Sequence, residues 1–433
     1  MTRLPAALAL AFAALLVALT VRPTAGQSEP TPPPAGEEEP LPEGVPVIEV
    51  DSPERALYKI AIPNLRGSSG AQAADVIRND LRLVSLFDVL DARSFVANLE
   101  AEGLGVTPSS WATVGAQGVV KGAIERAGSG RLTVEMRFYQ LAEGTSPALS
   151  KTYRGPPQQL RGFMHDFANE ILRVLTGEAG AFDSRLVFAR RVGPGRKDVY
   201  VASWDGASVS RVSEPSGVNM LPNFGPGGIW YSRLTETGMY ITHSRAGGRR
   251  IIDGDGLNMG PTVCGNRVFF TSTRDGNSEI YSAALDGSGV RRITNHPAID
   301  VSPTCAGGGR LAFVSTRHGS PQIFMMSTSG AGVRRVTYRG SHNQTPAVCT
   351  RNGQTLLAFT GRSGGLDVFT VNLATQEYTR LTQGQGANKD PAFSPDCRML
   401  AFWSSRGGIY VSSPEGLNHN LVIRGAAETL RWR

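Results

Sequence analysis

"RVFFTSTRDGNSEIYSAALDGSGVRRIT" (267–294) returns as "RLAFVSTRHGSPQIFMMSTSGAGVRRVT" (310–337), 43 residues further along. Both carry Ser-Thr-Arg-x-Gly, an Ile-aromatic pair, a Gly-x-Gly-Val turn and Arg-Arg-x-Thr. Apolar residues alternate in twos, β-branched and aromatic side chains are frequent, and Gly-rich turns separate the runs. That is the signature of short strands, not of helices with spacing three and four. The repeated unit is therefore a small β-sheet, and its recurrence is architectural.

Further copies fix the architecture. The apolar strand ending in an aromatic recurs as RLVFARR (185–191), GIWYSRL (228–234), LLAFTGR (356–362) and MLAFWSS (399–405). Counting all copies, the aligned aromatics are Phe188, Tyr231, Phe270, Phe313, Phe359 and Phe402, spaced 43, 39, 43, 46 and 43 apart. A period near 43 with several strands per unit predicts a β-propeller of six blades over 181–433. Each copy but the first follows a short element with Asn or Asp three residues before Pro: NMLPNF (219), NMGPTV (258), DVSPTC (300), NQTPAV (343) and NKDPAF (388). These are the expected inner strands. The first blade has none before it, so AAETLRWR (426–433) is expected to supply it and close the ring, removing two sheet edges.

The Asn/Asp positions, Asn219, Asn258, Asp300, Asn343 and Asn388, have two readings. Asn and Asp favour turns through bonds to their own backbone. The ring symmetry would also gather five polar groups around one mouth of the channel, fit for a partner's backbone or a cation.

A different unit precedes the propeller, over 47–180. LYKIAIP (57–63) reads as a strand, and GAQAADVIRNDLRLVSL (70–86) as a helix with Ala73, Ile77, Leu81 and Val84 on one face. Segments 118–125 and 131–141 form a hairpin across AGSG, with Leu132, Val134, Met136 and Phe138 on one side. A second helix starts near Pro157 and stops at Gly177. The fold class expected is a two-layer α/β domain followed by an all-β propeller.

At the start, an apolar run from Leu4 to Val21 after Arg3, then Pro23-Thr24-Ala25-Gly26, reads as a secretory signal over 1–26. Residues 27–46, QSEPTPPPAGEEEPLPEGVP, read as an extended, disordered Pro/Glu-rich leader. Eight acids and no Lys or Arg lie between Gln27 and Glu54; without them and without Arg3 and Arg22, 42 basic residues face 29 acidic ones. Export argues against nucleic acid as the partner of that basic body and leaves acidic partners, or the leader itself. No later segment is long and apolar enough to span a bilayer.

Chemistry is sparse. Gly361-Arg362-Ser363-Gly364-Gly365 matches the G-x-S-x-G of hydrolases but occupies the turn that STRDG and STRHG fill in neighbouring repeats, with a strand to follow. The six His and four Cys form no metal-ligand spacing, and His165 on the second helix reads as packing. Cys264, Cys305, Cys349 and Cys397 permit bridges Cys264–Cys305 and Cys349–Cys397 between neighbouring blades, or free buried thiols. No catalytic residue, metal or cofactor is expected.

The order of signal, small α/β domain and propeller resembles the TolB family of periplasmic Tol-Pal components. The best local marks are "FMHDFANEILRVLTGEAGAFDSRLVFARR" (163–191), "DPAFSPDCRMLAFWSSRGGIYV" (390–411) and the paired repeats. The resemblance implies a monomeric, non-enzymatic scaffold that binds the lipoprotein Pal at the propeller mouth, matched here by the Asn/Asp ring. It also implies contact with TolA through Val47, Ile48, Glu49, Val50 and Asp51, whose alternation suits edge-strand addition. About twenty Pro/Glu-rich residues precede that segment, a departure from the family. The alternatives are a periplasmic propeller that binds carbohydrate or peptide, and a propeller enzyme with its site in the channel.

Overall fold

The computed structural model describes residues 57–433 apart from Ser129, together with the backbone of Val47–Ile48. The expected signal and leader, and Glu49, Val50 and Asp51, lie outside the described residues.

The N-terminal unit is a five-stranded mixed sheet in the order Phe87–Val89, Tyr58–Ala61, Gly118–Arg126, Leu132–Gln140, Leu149–Gly155. Val134, Met136 and Phe138 are fully buried and Leu132 nearly so, as their alternation requires. Two helices, Gly70–Leu83 and Leu160–Thr176, cover that face and pack on each other. The first buries Ala73, Ile77 and Leu81. The second ends at Gly177, whose φ of 80° and amide bond to the Arg173 carbonyl make a left-handed stop. The third strand of the meander, Leu149–Gly155, and the short helices Leu99–Glu102 and Pro108–Ala112 add to what the sequence predicts.

From Arg185 onward the chain is sheet. Six inner strands are present among the described residues: Val218–Gly225, Asn258–Cys264, Asp300–Cys305, Asn343–Arg351, Asn388–Phe393 and Glu428–Trp432. The last pairs antiparallel with Arg185–Gly193, in register Trp432↔Leu186, Arg431↔Val187 and Glu428↔Ala189. Backbone bonds in both directions between Arg185 and Arg433 extend the ladder. The C-terminal strand thus fills the vacancy in the first blade, as expected.

All six inner strands break register at the same place, the residue before Pro or its equivalent. Leu221, Gly260, Ser302, Thr345, Asp390 and Thr429 adopt φ between 51° and 65°. Five of the six are not glycine, so each pays a left-handed backbone cost of about 1–2 kcal/mol. A bulge repeated six times re-aims each strand at one level of the channel. The signature aromatics sit on the second strands, and most stack on a third-strand ring: Phe270 on Tyr281, Phe359 on Phe369, Phe402 on Tyr410.

Strand direction decides which mouth is free. Inner strands run from one end of the channel (the Asn/Asp end) to the other. The turns at the far end include Trp204–Ser208, Ser394–Arg398 and Ser413–Asn418. Those turns meet the N-terminal unit: Asn418 donates to the Arg82 carbonyl, Arg398 to Thr176 Oγ1, and Arg161 pairs with Asp205. One continuous core joins Phe167 and Ile171 of the second helix to Trp204, Phe188, Ile409 and Leu430 of the sheets. At its centre the buried His165 holds Asp80 Oδ2 through Nδ1 at 2.7 Å and Asp205 Oδ2 through Nε2 at 3.1 Å. His165 therefore packs, as expected, but as a charged bridge between the two units. The mouth at the Asn/Asp end faces away from this contact.

Both pairs of cysteines are bonded. Cys264–Cys305 and Cys349–Cys397, with Cα separations of 5.3 and 5.8 Å, tie neighbouring blades near the ends of their inner strands. Residues 361–365 form a strand–turn–strand, with Ser363 opposite Gly365, and no helix follows. Among the described residues no helix is long and apolar enough to cross a membrane. The backbone of Val47–Ile48 runs parallel to Tyr378–Arg380, the outer strand of the sheet whose inner strand is Asn343–Arg351.

Candidate functional site: the open mouth of the channel

Each part of the repeated sentence has a physical job. The Thr of Arg-Arg-x-Thr accepts a third-strand amide and donates to the side chain before it. Thr294 bonds Ile280 N and Glu279 Oε2, and Thr337 bonds Ile323 N and Gln322 Oε1; Thr382, in the variant Thr379-Arg380-Leu381-Thr382, likewise bonds Val368 N and Asp367 Oδ1. The second Arg of that motif closes the outer edge, as in Arg292–Glu279 at 2.8 Å. These groups are scaffold.

The Ser-Thr-Arg-x-Gly turns lie at the free mouth. Arg274 donates from Nε to Ser272 Oγ at 3.0 Å and from Nη2 to Asn258 Oδ1 at 2.8 Å. Its guanidinium covers Phe270 and Tyr281 at 5.7 and 5.2 Å. Arg317 repeats this on Ser315 and Asp300, over Phe313 and Phe324. Arg406 bonds Ser404 and lies 4.1 Å from the Tyr410 ring, and Arg362 is exposed on the equivalent turn. Stacking and hydrogen bonding hold these cations in place without neutralising most of them. The free mouth is therefore a positive rim.

The five Asn/Asp positions do gather at that end, one near the start of each inner strand except the closing one. They are not displayed. Asn219, Asn258, Asp300 and Asn388 are 0% exposed and Asn343 is 1% exposed. Asn219 Nδ2 caps the carbonyls of Lys197, Glu214 and Ser216; Asn343 Nδ2 bonds Gln322 Oε1 and the Arg339 carbonyl; Asn388 Nδ2 bonds the Gly386 carbonyl. Burial pushes the Asp300 carboxyl up, against the pull of Ser315 and Arg317. None of the five side chains is displayed at the surface: most of their polar groups bond inside the blade, while Asn219 Oδ1, Asp300 Oδ1 and Asn388 Oδ1 are buried without a partner. Asn258 and Asp300 act on the mouth through the arginines they hold.

Below the rim the channel holds a cavity of ≈ 290 Å³. Met220, Leu221, Met259, Ile299, Val301 and Val314 give it an apolar wall, while Asp390, Thr429 and Arg431 supply a polar side. His342 lies on the wall too; burial and Arg362 push its pKa down, which keeps it neutral near pH 7. A second cavity of ≈ 500 Å³ opens at the other end and shares Arg431 with the first. Arg431 escaped the sequence reading because the closing strand ETLRW lacks the Asn-x-x-Pro pattern that marks the other five.

The family model for the TolB amino-terminal domain matches residues 46–146, and that for the TolB beta propeller domain matches 172–363. The Tol-Pal system protein TolB of Anaeromyxobacter dehalogenans (strain 2CP-C) is 34% identical over 277 residues, 60% of this chain and 62% of that protein. The Tol-Pal system protein TolB of Desulfosudis oleivorans is 29% identical over 264 residues, 57% of this chain and 60% of that protein. The matched region thus spans somewhat less than two thirds of these relatives' length. The crystal structure of TolB from Acinetobacter baumannii superposes with a TM-score of 0.75 at 25% identity, covering 87% of this chain and 97% of that one. With both domain models met in order along one chain, and the whole architecture shared with a solved TolB, the chain belongs to the TolB family.

Proposed function

We propose that this protein is a periplasmic, non-enzymatic scaffold of the Tol-Pal system that docks the lipoprotein Pal at the open propeller mouth and TolA through the segment Val47–Asp51. In that role it supports outer-membrane integrity and constriction at division. The observation that carries the reading is the mouth itself. It faces away from the N-terminal unit and presents fixed arginines of successive blades on one rim. Such a rim suits a protein surface of opposite charge. The five Asn/Asp positions enter as its frame, two of them by gripping its arginines.

Two results test this. Arg362→Glu with Arg406→Glu is expected to weaken binding of the Pal periplasmic domain about tenfold, chiefly by slowing association, with a reduced salt dependence. Surface plasmon resonance at two ionic strengths reads both; unchanged kinetics would move the interface off this rim. Deleting residues 47–54 is expected to abolish TolA capture and leave Pal affinity intact. Loss of both in the same co-purification would contradict separate sites.

A further inference from the structure

We propose that Arg431 is the floor of a carboxylate-binding socket inside the propeller channel, and that its occupant is an acidic side chain of the protein seated on the open mouth. The inference rests on reading that mouth as a protein-docking site and adds the chemistry that recognises the partner.

Arg431 belongs to the closing strand and borders both channel cavities, so its guanidinium stands at the waist between them. Nη1 donates to the Leu430 carbonyl at 2.8 Å. Nε is buried and has no partner in the chain. Among the described residues no carboxylate makes a salt bridge with it. Asp390 shares the cavity, but its Oδ2 already accepts the Thr429 amide at 3.0 Å and lies 3.8 Å from Lys389 Nζ. Burial pushes the Arg431 guanidinium below the usual arginine range, and Asp390 offsets this only in part.

A half-buried guanidinium whose Nε is sealed from water and which makes no ion pair is ordinarily matched by a carboxylate. What would pair this one must enter from outside. The approach passes between Met220, Leu221, Met259 and Val301, walls that fit the methylene stem of a glutamate and compete for none of its hydrogen bonds. In that apolar setting a carboxylate on a guanidinium gains more than it would in water. The positive rim of Arg274, Arg317, Arg362 and Arg406 draws the same sign of charge toward the opening. These four lie on separate turns, a spread that matches a protein surface with one inserted side chain better than a lone small acid.

The test is a calorimetric titration of the chain with the Pal periplasmic domain, for the wild type, Arg431→Met and Arg431→Lys. Arg431→Met is expected to weaken binding by roughly 10- to 100-fold, while its thermal midpoint stays level or rises because an unpaired, half-buried charge is gone. Arg431→Lys, which keeps the charge without the fork, should fall between. Wild-type affinity in Arg431→Met overturns the socket and leaves Pal docking at the rim standing. If Pal fails to bind the wild type, the docking reading falls, and the socket is judged alone with glutarate as probe. A shift of the Arg431 Nε–Hε resonance by millimolar glutarate, absent for succinamide, keeps the socket; no shift overturns it.

Discussion

Replacing His165 by leucine is expected to remove about 3–5 kcal/mol of stability, the usual cost of stranding one side of a buried charge pair. The side chain would leave Asp80, which is fully buried, facing Asp205, also nearly inaccessible, with no cation between them. Asp80 Oδ1 already lacks a partner, so nothing nearby can take over. Arg161 reaches Asp205 but not Asp80. Urea unfolding followed by tryptophan fluorescence is a fitting measurement, since Trp204 sits beside the His165 ring with centroids 6.3 Å apart. A midpoint equal to that of the wild type would show that the cluster contributes no net stability.

The same cluster sets a pH dependence. Burial pushes the His165 pKa down, but the bonds to Asp205 and Asp80 outweigh it and raise the value from 6.5 to about 9. A base whose folded pKa is raised lends stability that is complete below pH 6.5 and is lost as pH climbs through 9. The loss amounts to about 3 kcal/mol. Burial raises the Asp80 carboxyl to about 6, against the pull of His165, so its titration is largely finished by pH 7. Between pH 7 and 9 the wild type should therefore weaken while His165→Gln stays comparatively flat. Parallel curves in that window would assign the alkaline limb to other groups.

Reduction of the two disulfides is the second large effect. Cys264–Cys305 closes a sequence separation of 41 residues and Cys349–Cys397 one of 48. Restricting loops of that size in the unfolded chain is worth about 4 kcal/mol each on the chain-entropy account. The first bridge joins two adjacent inner strands, and the second joins the inner strand Asn343–Arg351 to the turn that follows Asn388–Phe393; no strand ladder crosses either of these blade boundaries among the described residues. The double variants Cys264→Ser/Cys305→Ser and Cys349→Ser/Cys397→Ser are each expected to lower the unfolding free energy by about 3–4 kcal/mol in urea titrations. Excess reductant on the wild type should approach the sum of the two. Identical midpoints with and without reductant would refute the contribution.

The architecture was readable because its causes are local and repeated. Alternation, a fixed period and Gly-rich turns announce strands at every copy, and the apolar faces of the two helices follow from residues three and four apart. The missing inner strand before Arg185 pointed to the C-terminal strand. The strand Leu149–Gly155 was less legible, since its alternating positions are only half-buried. Function was harder to see. Asn258 and Asp300 occupy one sequence pattern whether they cap a turn or face a partner; only burial separates the two. His165 meets Asp80 across 85 positions of sequence, a contact no local window contains. Arg431 lies on the one inner strand that departs from the repeat.

The seam between first and last strands also governs when the molecule can become whole. Trp432 reaches Ser184 across 248 residues of sequence, while Trp204 stacks on Trp432 and leans on the second helix. The early sheets can assemble as the chain emerges, yet the ring must wait, edge bare, for the tail to arrive. Contacts this distant are slow to form, so the helices and Trp204 serve as a waiting berth, and loss of the final eight residues would strand the nascent chain in an open, adhesive form.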